Sequence, residues 1–143
     1  MASSKKIGDP LSVPGADASP RASGHGDRRR ALGTRGEDLA AAFFIRRGFT
    51  VLVRNWRCRE GELDLVVCKG DDVRAIEVKT RMSLGAGSPE EAVTEEKLER
   101  LDAALTAFLE EHPDLPRDIH VDVLSIVIGS NGVPVFHHLP DIG

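Results

Sequence analysis

The sequence predicts a mixed α/β domain in the order α-β-β-β-α-β-β, a small central sheet with a helix packed on each side. Three observations lead there. Apolar residues recur at helical spacing around residues 34–47 and 88–112. Runs of strand length and composition occupy 49–56, 62–68, 73–80 and 119–128. Turn signals, "KGDD" and "GSNG", separate neighbouring runs.

Residues 1–31 are rich in Ser, Gly, Pro, Ala and Asp, with almost no large apolar side chains. Such a segment cannot bury enough surface to offset its ordering entropy, so a disordered tail is expected there and one folded domain over 32–143. The first helix is predicted over 34–47, where Leu39/Phe43 and Ala40/Phe44 form i, i+4 pairs. Thr34 is its expected N-cap, with Glu37 three residues on as in a capping box. Arg46 and Arg47 sit in its last turn and Gly48 suits the C′ position. "FTVLVRNW" (49–56) reads as the first strand, and 62–68 and 73–80 as a hairpin. "RMSLGAGS" (81–88) reads as a loop. "SPEE" opens the second helix with Ser88 as N-cap, Pro89 at N1 and Glu91 at N3. Its stripe is Leu98, Leu101, Leu105 and Phe108, and Thr94 is a point where the span can divide in two. "IHVDVLSIVI" (119–128) is a strand, and "VPVFHHL" a weaker last one whose Pro134 suits a sheet edge.

Of the 143 residues, 41% are hydrophobic and 29% charged, a globular composition sized for one domain. No apolar run approaches the roughly 18 residues of a membrane span, and the start lacks a signal-peptide core. A soluble, cytoplasmic protein with free thiols at Cys58 and Cys68 is expected. The net charge is −4, but it is unevenly spread. Residues 28–59 carry nine Arg against Glu37 and Asp38, whereas 90–111 carry eight acids against Lys97 and Arg100. A basic face on an acidic protein and a set of merely solvated arginines both satisfy this pattern. No Walker-type phosphate loop and no Ser-His-Asp arrangement is present.

The hairpin 62–80 poses the chemical question. Side chains alternate along a strand, so Leu63, Leu65 and Val67 share one face, and Glu62, Asp64 and Val66 the other. On the partner strand Ile76 and Val78 are set against Ala75, Glu77 and Lys79. A two-residue turn at Gly70-Asp71 puts Asp64 opposite Glu77, and Glu62 opposite Lys79, with Cβ atoms about 5 Å apart. Two like charges at that spacing destabilise a sheet unless a proton or a cation lies between them. Oxygen ligands suit Mg²⁺ or Mn²⁺. A solvent-facing hairpin with a charged side is the plainer alternative. Lys79 suits the orientation of a metal-activated water or the stabilisation of transition-state charge, or else a simple ion pair with Glu62. Trp56 reads as core. His137 and His138 point to opposite faces of their strand, so they read as edge residues.

Asp64 followed by Glu77-Val78-Lys79 resembles the PD-(D/E)XK nuclease motif without its proline. The blocks "GTRGEDLAAAFF", "RNWRCREGELDLV", "IEVKTR", "SPEEAVTEEKLERL" and "HVDVLSI" occur in the order found in the YraN-like bacterial family, which is similar to archaeal Holliday-junction resolvases. The resemblance spans about residues 33–139. It implies a restriction-endonuclease-like fold and a metal-dependent endonuclease acting on DNA, with branched DNA as the substrate class. A non-catalytic nucleic-acid-binding or adaptor module that keeps the fold is the rival reading. The resemblance also implies Asp64, Glu77 and Lys79 as the catalytic core and Glu37 as an added acid, with Asp64, Glu77 and Glu37 holding Mg²⁺ or Mn²⁺. On its own Glu37 reads as a capping carboxylate. Arg35, Arg54, Arg57, Arg59, Arg81 and Lys97 are the expected nucleic-acid contacts. Symmetric junction cleavage would need paired sites and so a homodimer.

Overall fold

The computed structural model describes residues 25–82 and 93–142, with side chains from residue 32 onward. The elements are α1 (His25–Arg46), β1 (Thr50–Arg57), β2 (Glu62–Lys69), β3 (Asp72–Arg81), α2 (Glu95–Glu111), β4 (Ile119–Ile128) and β5 (Pro134–Leu139). This is the expected order. The strands form one sheet, β1-β2-β3-β4-β5. Only β3 and β4 are parallel, and α2 lies in the crossover between them, as a parallel pair requires. No helix among the described residues is long and apolar enough to cross a membrane.

Each helix covers one face of the sheet. Ala40, Ala41 and Phe44 of α1 pack on Leu65, Val67, Ile76, Leu124, Ile126 and Ile128. Leu101, Ala104, Leu105 and Phe108 of α2 pack on Val66, Val73, Ala75 and Val121. Trp56 joins this second layer edge-to-face with Phe108, at 5.3 Å between ring centres. Strand β4 is covered on both faces, so its eight residues Val121–Ile128 are all buried. Pro134 starts β5 at the sheet edge, where a missing N–H does no harm.

The end of α1 follows from Gly48. With φ at +93°, it donates its N–H to the carbonyl of Ile45, and Phe49 donates to that of Phe44. That is a Schellman closure, and the Phe44–Phe49 ring contact at 5.6 Å is its usual apolar clasp. The start of α1 differs from expectation. The helix begins at His25, so Thr34 lies inside it and caps nothing, and residues 25–31 are helical rather than tail. Once the packed turns exist, adding residues such as Arg28–Leu32 needs no new nucleus. Helix α2 begins after Thr94, whose hydroxyl accepts from the Lys97 amide at 3.1 Å. The expected Ser88–Glu91 start lies outside the described residues, as does residues 1–24 of the expected tail.

Candidate active site at the parting of β2 and β3

Gly70 has φ of +63° and closes the hairpin in the expected register, from Lys69↔Asp72 to Leu65↔Ile76. There the ladder stops. A regular continuation would bond Val78 to Leu63. Instead the Val78 amide donates to Oδ2 of Asp64 at 2.9 Å. The side chain takes the place of a backbone carbonyl, and the strands part around it.

The neighbouring strand is irregular at the same level. Asn55 adopts the left-handed conformation, φ 51°, which Asn tolerates better than most residues. It lets two successive side chains of β1 face α1. Arg54 reaches Asp38 at 2.6 Å, and Nδ2 of Asn55 donates to Oε1 of Glu37 at 3.0 Å. Beyond this joint Leu63, paired with Trp56, turns into the α2 layer beside Val66. Strict alternation had assigned it to the face of Leu65 and Val67, and the paired break at Asn55 and Asp64 is why it fails.

Glu37 comes near because α1 lies very close to β3. A Cβ on Gly36 would stand 1.8 Å from Oγ1 of Thr80, so only glycine permits this crossing. The result is an acidic row at one end of the sheet. Burial raises the Asp64 carboxyl most, and the charges of Glu77, Glu37 and Glu62 raise it further, against the Val78 hydrogen bond. The outcome is a carboxyl pushed from 3.8 to about 7. Glu77 is buried and has its own cation: Nζ of Lys97, from the first turn of α2, lies 2.9 Å from its Oε2. That bond raises the Lys97 ammonium above its usual range, with desolvation opposing.

A second buried carboxylate provides the contrast. Asp122 on β4 is fully buried, and Arg74 donates to both its oxygens at 3.0 and 3.2 Å. His138 meets it at 2.8 Å and the Asp141 amide donates at 2.9 Å. Burial pushes its carboxyl up, but these partners win and hold it below the usual value. Asp122 is a structural centre that ties β3, β4 and the C-terminal segment together. His138 is therefore no idle edge residue, whereas His137 is exposed.

Next to the acidic row opens a cleft of about 370 Å³ lined by Arg57, Cys58, Gly61, Glu62, Glu77, Lys97, Arg100 and Leu101. Lys79 is exposed on β3, two residues from Glu77, and makes no ion pair with the described residues. Glu62 pairs with Arg57 at 3.2 Å, not with Lys79 as the extrapolated register had it. The expected nucleic-acid contacts divide. Arg57 and Lys97 line the cleft, with Arg100 beside them. Arg35 donates to the Gly132 carbonyl at 3.3 Å, and Arg54 is held by Asp38. Arg59 is exposed and Arg81 partly buried. The three expected metal ligands do not meet as a finished cage: among the described residues no three His, Cys, Asp or Glu are grouped to hold an ion. Arg100, one turn from Lys97 and weighed from sequence as a phosphate contact or a helix-surface ion pair, lines the cleft, whereas Asn55 was not singled out. The only trace of Asn55's role was an Asn inside a β-rich run.

Fold and site together define an α/β protein with a buried Glu77 and a half-buried Asp64 at a sheet end, flanked by a cation-lined cleft. The chain belongs to the uncharacterised protein family UPF0102, whose family model matches residues 36–126; this is the YraN family that its sequence blocks resemble. A UPF0102 protein of Clavibacter michiganensis subsp. michiganensis is 44% identical over 107 residues, covering 75% of this chain and 91% of the relative. One from Nocardioides sp. is 43% identical over 115 residues, 80% of this chain and 93% of the relative. One from Anaeromyxobacter dehalogenans is 44% identical over 119 residues, 83% and 88% respectively.

Proposed function

We propose that this chain is a metal-dependent endonuclease-like protein of restriction-endonuclease-like fold that hydrolyses DNA phosphodiester bonds. One observation carries the reading. The protein neutralises its buried Asp122 with three partners but leaves Asp64 among three further acids, with a carboxyl at about 7. A carboxyl raised by burial and by neighbouring like charges beside a cleft is a functional-site candidate.

The donor set fits Mg²⁺ or Mn²⁺: hard carboxylate oxygens, no thiolate or imidazole among them. Two carboxylates suffice, because Mg²⁺ usually keeps several waters and completes its shell with substrate phosphate. When bound, the cation would supply a water of lowered pKa and neutralise charge at the phosphate. Asp64 and Glu77 are the residues to hold it. Glu37, oriented by Asn55, adds negative potential and a hydrogen-bond acceptor for ordered water. Lys79 is free to orient the attacking water or stabilise the developing charge. Arg57 and Arg100 offer the phosphate backbone two cations across the cleft. Branched DNA follows from the family resemblance alone, and its symmetric cleavage would call for a homodimer. A cytoplasmic setting suits a DNA substrate and the free thiols of Cys58 and Cys68.

The Lys97–Glu77 pair favours a second reading, a DNA-binding module without turnover, since it already neutralises one ligand carboxylate. Nicking and cleavage of linear, flapped and four-way DNA with Mn²⁺ separates the two. The nuclease reading expects cutting by the wild type that Asp64→Ala and Lys79→Ala abolish. Equal cutting by wild type and variants, or salt-sensitive binding indifferent to Mn²⁺ with no cutting, would reject it.

A further inference from the structure

Resting on the metal reading above, we infer that Lys97 is an exchangeable internal cation: it holds Glu77 until a divalent ion displaces it, and then serves substrate phosphate in the cleft. Nζ of Lys97 lies 2.9 Å from Oε2 of Glu77. An ammonium there and a divalent cation would claim the same lone pairs, so the two compete. The geometry suits exchange. Glu77 is fixed, with its side chain 9% exposed, whereas the Lys97 side chain is 35% exposed on a flexible stem. Its anchor is firm: the Lys97 amide is the one that Thr94 caps at the start of α2, so only the side chain has to move. The space it would swing into is the cleft shared with Arg57 and Arg100. Three cations would then face the phosphates where two do otherwise.

Competition fixes the sign of the test. Removing a residue that merely supports Glu77 would weaken metal binding, whereas removing a competitor strengthens it. Mn²⁺ is titrated into the full-length wild type, Lys97→Gln and Asp64→Ala by calorimetry. The DNA affinity of wild type and Lys97→Gln is measured against salt with Mn²⁺ present. The expected result is Mn²⁺ binding at least about fivefold tighter in Lys97→Gln, within the usual range of coupling between two sites. Binding is lost in Asp64→Ala. The salt dependence of DNA binding falls by about one unit of log slope in Lys97→Gln, as for one lost phosphate contact. Equal or weaker Mn²⁺ binding in Lys97→Gln, with binding still lost in Asp64→Ala, overturns the inference and leaves the metal reading standing. An unchanged salt slope overturns the phosphate-delivery half. Absence of Mn²⁺ binding in the wild type overturns both the inference and the metal reading.

Discussion

Replacing Asp64 with asparagine isolates the charge that the site carries. Asparagine keeps an oxygen to accept the Val78 amide, so the parting of β2 and β3 survives the change. What goes is a carboxyl raised from 3.8 to about 7 by burial and by Glu77, Glu37 and Glu62. Asp64 binds its proton more tightly in the folded chain than in the unfolded one. Protonation therefore stabilises the fold fully below 3.8, the benefit declines from there to about 7, and it is gone above that. At about 1.4 kcal/mol per pH unit, this window corresponds to on the order of 4 kcal/mol. Asparagine is neutral throughout, so the variant should match the wild type below about pH 4 and exceed it by up to that amount above pH 7. Urea unfolding between about pH 5 and pH 8, with chelator present, should find the gap widening by about 2–3 kcal/mol. A gap independent of pH, or an asparagine variant less stable at pH 8, would mean that no destabilising charge sits at position 64.

Three further outcomes follow from the geometry. Gly36→Ala should destabilise the fold by about 1–3 kcal/mol in urea unfolding, as overpacking does, and Thr80→Ala in the same chain should recover only part of it, because the Cβ of residue 80 still stands 2.9 Å from the added methyl. Arg74→Ala should lose about 2–3 kcal/mol, below the roughly 3–5 kcal/mol of a stranded buried charge, because His138 and the Asp141 amide still hold Asp122. The wild-type contribution of Asp122 is present above its unfolded value of 3.8 and disappears as pH falls through the lower folded one, so the penalty in Arg74→Ala should shrink in acid. Asn55→Gly should keep the backbone turn and cost little stability, whereas Asn55→Ala should cost about 1–2 kcal/mol for the left-handed conformation. Both should weaken Mn²⁺ binding if Glu37 needs Asn55 to face Asp64, as calorimetry would report.

Local signals carried most of the fold because they act over a few residues. Gly48 stops α1 through its own φ, Gly70 sets the hairpin register, and Pro134 can stand only at an edge. The hairpin register as far as Leu65↔Ile76 was legible for the same reason, since one short turn determines which residues oppose; beyond it the strands part, and Asp64 feels the charge of Glu77 without being its ladder partner. What stayed hidden depends on distant chain. Residues 25–33 carry no apolar stripe to announce that the helix extends through them. The end of the ladder at Leu65 arises from a hydrogen bond between a side chain and a backbone amide, coupled to a left-handed residue on another strand. Lys97 meets Glu77 only because the crossover carries α2 over β3, and Asp122 finds Arg74 and His138 on strands to either side. Charge identity was readable in each case, but the choice of partner was not.

The most direct measurement is anomalous diffraction from crystals soaked in MnCl₂. The expected result is a manganese peak beside the Asp64 and Glu77 carboxylates, with the Lys97 side chain moved off Glu77 into the cleft. A Lys97 still bonded to Glu77 at saturating Mn²⁺, with the anomalous signal elsewhere or absent, would contradict it.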